Sequence, residues 1–244
     1  ARLLASLPGY FYSTSDDGIW IHLYASNEAN IEFRGKNVII EQTTRYPWDG
    51  RVSIKIEPEV EDEFAVYLRI PRWAEDVKIY VNEERLDTVV RPSTYLRIER
   101  LWRRRDTVRL DMNMPVKLIV SNPMVIHNTS RAAIKRGPIV YCLEQVDNPN
   151  VDVWNIAVTT QSKFEAKYTP RLLNNIVIIE GEGYLLEYDP HKVYVDLDKY
   201  TLKARKVKFK AIPYYAWANR EPGPMTVWMP LLDLFEKKTV YENE

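Results

Sequence analysis

Val52-Ser53-Ile54-Lys55-Ile56 alternates apolar and polar side chains at every step, and this period of two decides the fold class. Successive side chains of an extended chain point to opposite faces. The pattern therefore puts Val52, Ile54 and Ile56 on a buried face and turns Ser53 and Lys55 toward water. Similar β patterning recurs in Ile19 to Tyr24, Val38-Ile39-Ile40-Glu41, Phe64-Ala65-Val66-Tyr67-Leu68, Val77-Lys78-Ile79-Tyr80-Val81, Tyr95-Leu96-Arg97-Ile98 and Val108-Arg109-Leu110-Asp111-Met112. Ser15-Asp16-Asp17-Gly18 separates Tyr10 to Thr14 from Ile19 to Tyr24, and an Asp-Gly between two β-prone runs marks a hairpin. Short strands at this spacing predict an antiparallel β-sandwich over residues 10–120.

A second set of strand patterns follows at Ile139 to Glu144, Ile176 to Glu180, Lys192 to Leu197 and Val207 to Ile212, with Val116-Lys117-Leu118-Ile119-Val120 as a crossing strand. Asn122-Pro123 and Asn128-Thr129-Ser130 supply turn chemistry at the boundary, so residues 121–244 predict a second β-sandwich. The expected class is all-β, with two tandem antiparallel β-sandwich domains and a short N-terminal helix remnant. That remnant is residues 1–9: Leu3, Leu4 and Leu7 share one helical stripe, and Pro8-Gly9 stops it. It reads as the end of a helix begun upstream. Two turns are unstable alone, so the stub is expected to pack on its own chain or on preceding helices. There is no convincing internal repeat.

Composition narrows the function classes. At 45% hydrophobic and 28% charged residues the chain is an ordinary globular protein, and 34 basic side chains balance 34 acidic ones. No summed field draws it to nucleic acid or to an anionic membrane, and the longest apolar runs, such as Ile176-Val177-Ile178-Ile179, are of strand length. No nucleic-acid or membrane partner is expected. No secretory signal is readable at the start, and the single cysteine, Cys142, excludes an internal disulfide and fits a reducing, cytoplasmic compartment.

The candidates for chemistry are few. His22, His127 and His191 have no metal-site spacing, and Cys142 within Gly137-Pro138-Ile139-Val140-Tyr141-Cys142-Leu143-Glu144 reads as a small buried strand residue with no activating cation nearby. No catalytic and no metal-ligating residue is assigned. The acidic run Glu57 to Glu63 reads as a solvated loop between strands, and Arg103-Arg104-Arg105 before Asp106 as a charged hairpin tip. No Gly-rich phosphate loop is present. The strongest binding candidate is Ile212-Pro213-Tyr214-Tyr215-Ala216-Trp217-Ala218-Asn219-Arg220, where Tyr214, Tyr215, Trp217 and Asn219 combine flat rings with an amide suited to stacking on sugar. Packing at a buried interface is the competing role of these residues, as it is of Trp20, Trp48, Trp73 and Trp102.

Three stretches together carry a resemblance: Ala1 to Tyr24, Arg136 to Glu144, and Ile212 to Arg220. With Tyr67-Leu68-Arg69-Ile70-Pro71-Arg72-Trp73 and Met114-Pro115-Val116 in order between them, the chain resembles the C-terminal half of glycoside hydrolase family 127, the β-L-arabinofuranosidase family. The resemblance implies an (α/α)6 catalytic barrel ahead of β-sandwich domains, with residues 1–9 as the end of its last helix. It also implies an adjacent cysteine pair that binds zinc and attacks the sugar, together with a glutamate and another cysteine, all before Ala1. No cofactor is expected within the chain itself, and Cys142 matches a later family segment rather than the nucleophile. The implied role is a non-catalytic β region bracing the barrel of an enzyme that hydrolyses L-arabinofuranosides. Two other readings stay open: a carbohydrate-binding module with Tyr214, Tyr215 or Trp217 exposed, and an interaction or scaffold subunit whose Leu3, Leu4 and Leu7 close on another chain. The expected partners are the catalytic barrel, L-arabinose-containing sugars and a second copy of the chain.

Overall fold

The computed structural model describes residues 2–189 and 191–234, and they divide into two compact units, Ala1–Met114 and Pro115–Glu244. Strands are the main regular element of both, so the protein is all-β.

The first unit opens with helix α1 (Arg2–Ser6), which passes into a 3-10 turn at Leu7–Tyr10. None of these residues is buried, and Leu3 and Leu4 are 69% and 74% exposed. The expected packing of this stripe is therefore not made within the described residues. Ten strands follow: β1 (Tyr12–Thr14), β2 (Gly18–Ile21), β3 (Asn27–Phe33), β4 (Lys36–Thr44), β5 (Arg51–Pro58), β6 (Asp62–Ile70), β7 (Val77–Val81), β8 (Glu84–Arg85), β9 (Thr94–Trp102) and β10 (Asp106–Met112). They form a four-stranded sheet, β1-β2-β6-β9, and a six-stranded sheet, β3-β4-β5-β10-β7-β8.

The β1–β2 hairpin forms where Asp17-Gly18 marked it. The alternation in β5 is also realised, since Val52, Ile54 and Ile56 have no exposed surface. Ile19, Ile21, Phe64, Leu68 and Trp102 from one sheet share a single apolar core with Ile40, Ile54, Ile79, Val108 and Leu110 from the other. That shared core makes this unit a sandwich. Backbones approach closely at Gly50: its carbonyl accepts the Met112 amide at 3.0 Å, and a Cβ there would collide with the Met112 carbonyl oxygen.

Two connections differ from their expected form. Arg103-Arg104-Arg105 is not a hairpin tip, because β9 and β10 lie in different sheets and do not pair. It is an arch between the layers, turned by Arg105 at φ 70° and held by Asp106, whose carboxylate accepts the Arg103 amide at 3.0 Å. The acidic run is likewise an arch from β5 to β6, and it is shorter than expected because strand pairing extends through Pro58 and resumes at Asp62. Three of its carboxylates are paired: Glu57 with Lys55 at 2.7 Å, Asp62 with Lys36 at 3.2 Å, and Glu61 with Arg103 at 3.6 Å.

The second unit contains β11 (Val116–Val120), β12 (Arg131–Arg136), β13 (Ile139–Glu144), β14 (Ile156–Ala157), β15 (Phe164–Thr169), β16 (Ile176–Glu187), β17 (Lys203–Pro213), β18 (Met225–Thr226) and β19 (Met229–Pro230). They form one hydrogen-bonded network in the order β11-β12-β13-β17-β16-β14, with β15 on β16, β18 on β13 and β19 on β12. Ile176, Val177, Ile178 and Ile179 are buried in succession, so both faces of β16 are covered at that point. Gly181 lies opposite Phe209 in the β16–β17 ladder, and the Phe209 ring occupies the space a Cβ would need. Lys192 to Leu197, expected as a strand, is not one. Pairing of β16 with β17 ends at Glu187 and Lys203, and the connection between them leaves Val193 and Tyr194 at 79% and 95% exposure. Alternation without a neighbouring strand to bond is not enough to make a strand.

Candidate functional site

β13 changes partner as it runs, pairing Ile139 and Val140 with β12, Tyr141 and Cys142 with β17, and Leu143 and Glu144 with β18. It thereby delivers Glu144 to the place where β17 ends. That end is set by Pro213, which has no amide hydrogen to continue the ladder, and the chain turns at once into a 3-10 helix at Tyr214–Ala216. A 3-10 turn has about three residues per turn, so side chains three apart eclipse each other. The rings of Tyr214 and Trp217 accordingly stand parallel, 8° apart in plane, with centroids 6.1 Å apart. They remain 45% and 42% exposed, and Tyr215 is 64% exposed.

The turn is clamped from below. Ala218 takes a left-handed φ of 61°, a conformation that an alanine adopts at a cost, and its amide donates to Glu144 Oε1 at 2.9 Å. Asn219 Nδ2 donates to the carbonyls of Ala216 at 3.0 Å and Trp217 at 3.3 Å, so its amide closes the turn. Arg220 Nη1 donates to Asp147 Oδ1 at 2.9 Å, and its Nη2 donates to Glu144 Oε2 at 2.6 Å and to Asp147 Oδ2. Lys210 Nζ approaches Asp147 at 3.7 Å. Asn148 bonds across the same place, donating to the carbonyls of Glu144 and Lys210, both at 2.9 Å, and accepting the Lys210 amide at 2.8 Å.

Charges this deep persist only when paired, and here two carboxylates meet two cations. The Asp147 carboxylate and then Glu144 hold the Arg220 proton more tightly than usual, although burial opposes this.

Cys142 lies two residues before Glu144 with no exposed surface. Burial, followed by the Glu144 and Asp147 charges, pushes its thiol from 9.0 to about 12. Folding thus favours the protonated thiol. This contribution to stability is complete below the ordinary value of 9.0 and is lost as pH rises toward about 12. Iodoacetamide at pH 8.5 is expected to leave Cys142 unmodified in the folded protein and to alkylate it in urea, as read by intact mass. Rapid native labelling would overturn this burial.

The remaining sequence candidates are accounted for elsewhere. His22 sits between Ser13 Oγ at 2.7 Å and Tyr95 Oη at 2.6 Å, whereas His127 and His191 are exposed. Trp20 lies 3.8 Å from the Tyr67 ring at 4°, so each covers a face of the other. Among the described residues no three His, Cys, Asp or Glu side chains form a group able to hold a metal. The sequence reading found the rings but not the clamp. Glu144 and Arg220 each end a quoted stretch, and only folding joins them across 76 residues.

Two family models match the chain: the β-L-arabinofuranosidase GH127 middle domain over residues 18–114 and the glycoside hydrolase family 127 C-terminal domain over residues 116–230. A non-reducing end β-L-arabinofuranosidase of Bifidobacterium longum is 31% identical over 93% of this chain, which covers 35% of that protein. The crystal structure of a GH127 β-L-arabinofuranosidase from Geobacillus stearothermophilus T6 superposes with a TM-score of 0.87 at 38% identity, over 94% of this chain and 36% of that one. A second GH127 β-arabinofuranosidase structure gives 0.85 at 33% identity, over 94% of this chain and 37% of that one. The chain thus spans about a third of the length of these relatives, at 35% of the curated one. With both units matched, the chain belongs to glycoside hydrolase family 127 through its middle and C-terminal domains.

Proposed function

We propose that these two β units are the non-catalytic part of a β-L-arabinofuranosidase of this family and brace its catalytic barrel. The observation that carries the reading is the placement of Cys142. A cysteine nucleophile needs a thiolate within reach of substrate, and this chain's only thiol is buried in β13 and held protonated. In this reading zinc and the nucleophile belong to the barrel. The exposed Leu3 and Leu4 of α1 form the apolar face that the barrel covers.

The test is turnover of 4-nitrophenyl β-L-arabinofuranoside by the 244-residue chain with zinc and a reductant present. No release of nitrophenol above the buffer rate is expected. Turnover that disappears in Cys142→Ser would overturn the reading.

A further inference from the structure

We infer that the parallel rings of Tyr214 and Trp217, with the neighbouring Tyr215, form a stacking platform for a neutral saccharide. The assignment of an L-arabinose-containing sugar rests on the function proposed above. The platform itself rests on three features of the second unit.

The first is the state of the ring faces. Trp20 and Tyr67, stacked with centroids 3.8 Å apart, cover one face of each other. Tyr214 and Trp217 are parallel to within 8° with centroids 6.1 Å apart, and at 45% and 42% exposure each ring keeps accessible surface beside its partner. This leaves room for adjacent sugar rings to lay their apolar C–H faces on parallel surfaces.

The second is rigidity. Exposed aromatic side chains usually lose rotamer freedom when they capture a ligand, and that loss weakens binding. Here the backbone carrying them is already fixed. Pro213 ends β17, the 3-10 turn sets the spacing, Glu144 holds the Ala218 amide, and Asn219 donates back to the turn carbonyls. A turn used only as a connector gains little from keeping Ala218 at φ 61° beneath two half-exposed rings.

The third is charge. The clamp holds two carboxylates, Glu144 and Asp147, against two cations, Arg220 and Lys210, so its formal charge cancels. The clamp that holds the turn therefore adds no net formal charge to it. This matches a ligand recognised by C–H faces and hydroxyl groups.

The experiment is titration of the 244-residue chain with a β-L-arabinofuranosyl disaccharide, by calorimetry and by retardation in gels containing arabinan. The wild type is expected to bind saturably. Trp217→Ala and Tyr214→Ala should each weaken binding at least tenfold while keeping the wild-type circular dichroism spectrum and urea midpoint. Trp217→Phe, which keeps a flat ring, should stay within a few-fold of wild type. It also keeps the test decisive if either alanine variant misfolds. Absence of saturable binding by the wild type, or full affinity in folded Trp217→Ala, would overturn the platform. Neither result bears on the turnover assay, and turnover by the chain would overturn the bracing role without touching the platform.

Discussion

Arg220→Ala is expected to destabilise the second unit by about 3–5 kcal/mol, the usual cost of removing one partner from a buried ion pair. Glu144 is 4% exposed and the Asp147 side chain equally so, and the substitution would remove the guanidinium these two buried carboxylates share, leaving Glu144 the Ala218 amide and Asp147 the Lys210 ammonium at 3.7 Å. Small domains hold about 5–15 kcal/mol in all, so the loss is a large fraction of the whole. Urea unfolding read together with hydrogen exchange would locate it. Amides of β13 and β17 should lose protection while those of β5 and β10 keep theirs, because the clamp lies wholly within the second unit. Arg220→Lys should recover part of the loss, since a lysine keeps the charge but cannot donate in a fork to Glu144 and Asp147 together. An unchanged urea midpoint in Arg220→Ala would show that the clamp contributes nothing to the fold.

Trp102→Ala should have a comparable effect on the other unit, about 3–5 kcal/mol for deleting a large buried aromatic. Trp102 ends β9 with no exposed surface, and its Nε1 donates to the Phe64 carbonyl at 2.9 Å. The ring thus fills the sandwich core while its one polar atom is satisfied. Phe64 lies 6.1 Å away, and the guanidinium of Arg100 sits 5.5 Å from the ring centroid. Trp102→Phe keeps most of the volume but leaves out the indole hydrogen bond, so a smaller loss of about 1–2 kcal/mol is expected. In this case exchange should accelerate in β6 and β9 and stay unchanged in β13 and β17. Equal urea midpoints for wild type and Trp102→Ala would mean that the ring is not part of the core.

Much of the fold was readable because one face of most strands is buried. In β5, and again in Val108, Leu110 and Met112 of β10, the apolar residues that alternate along the chain are the ones the core covers. Cys142 was placed correctly by the same argument. The pattern misled where a strand lacked a neighbour, as at Lys192 to Leu197, and where two strands followed closely but went to different sheets, as at Arg103 to Arg105. Tyr214, Tyr215 and Trp217 stood out as aromatic residues beside an amide, yet their exposure and the parallel rings became visible only on the 3-10 turn.

The sequence by itself determined the all-β class, the faces of the main strands, the buried thiol and the family, because side-chain periodicity and local motifs are properties of neighbouring residues. Tertiary structure alone decided the strand pairing beyond the β1–β2 hairpin, the partner changes along β13, and the union of Glu144 and Asp147 with Arg220 from 76 and 73 positions away. The reason is physical. Backbone hydrogen bonds are chemically alike at almost every residue, so periodicity tells a strand which face to bury but not whom to bond. A buried ion cluster forms only where the completed sheet brings opposite charges together out of water.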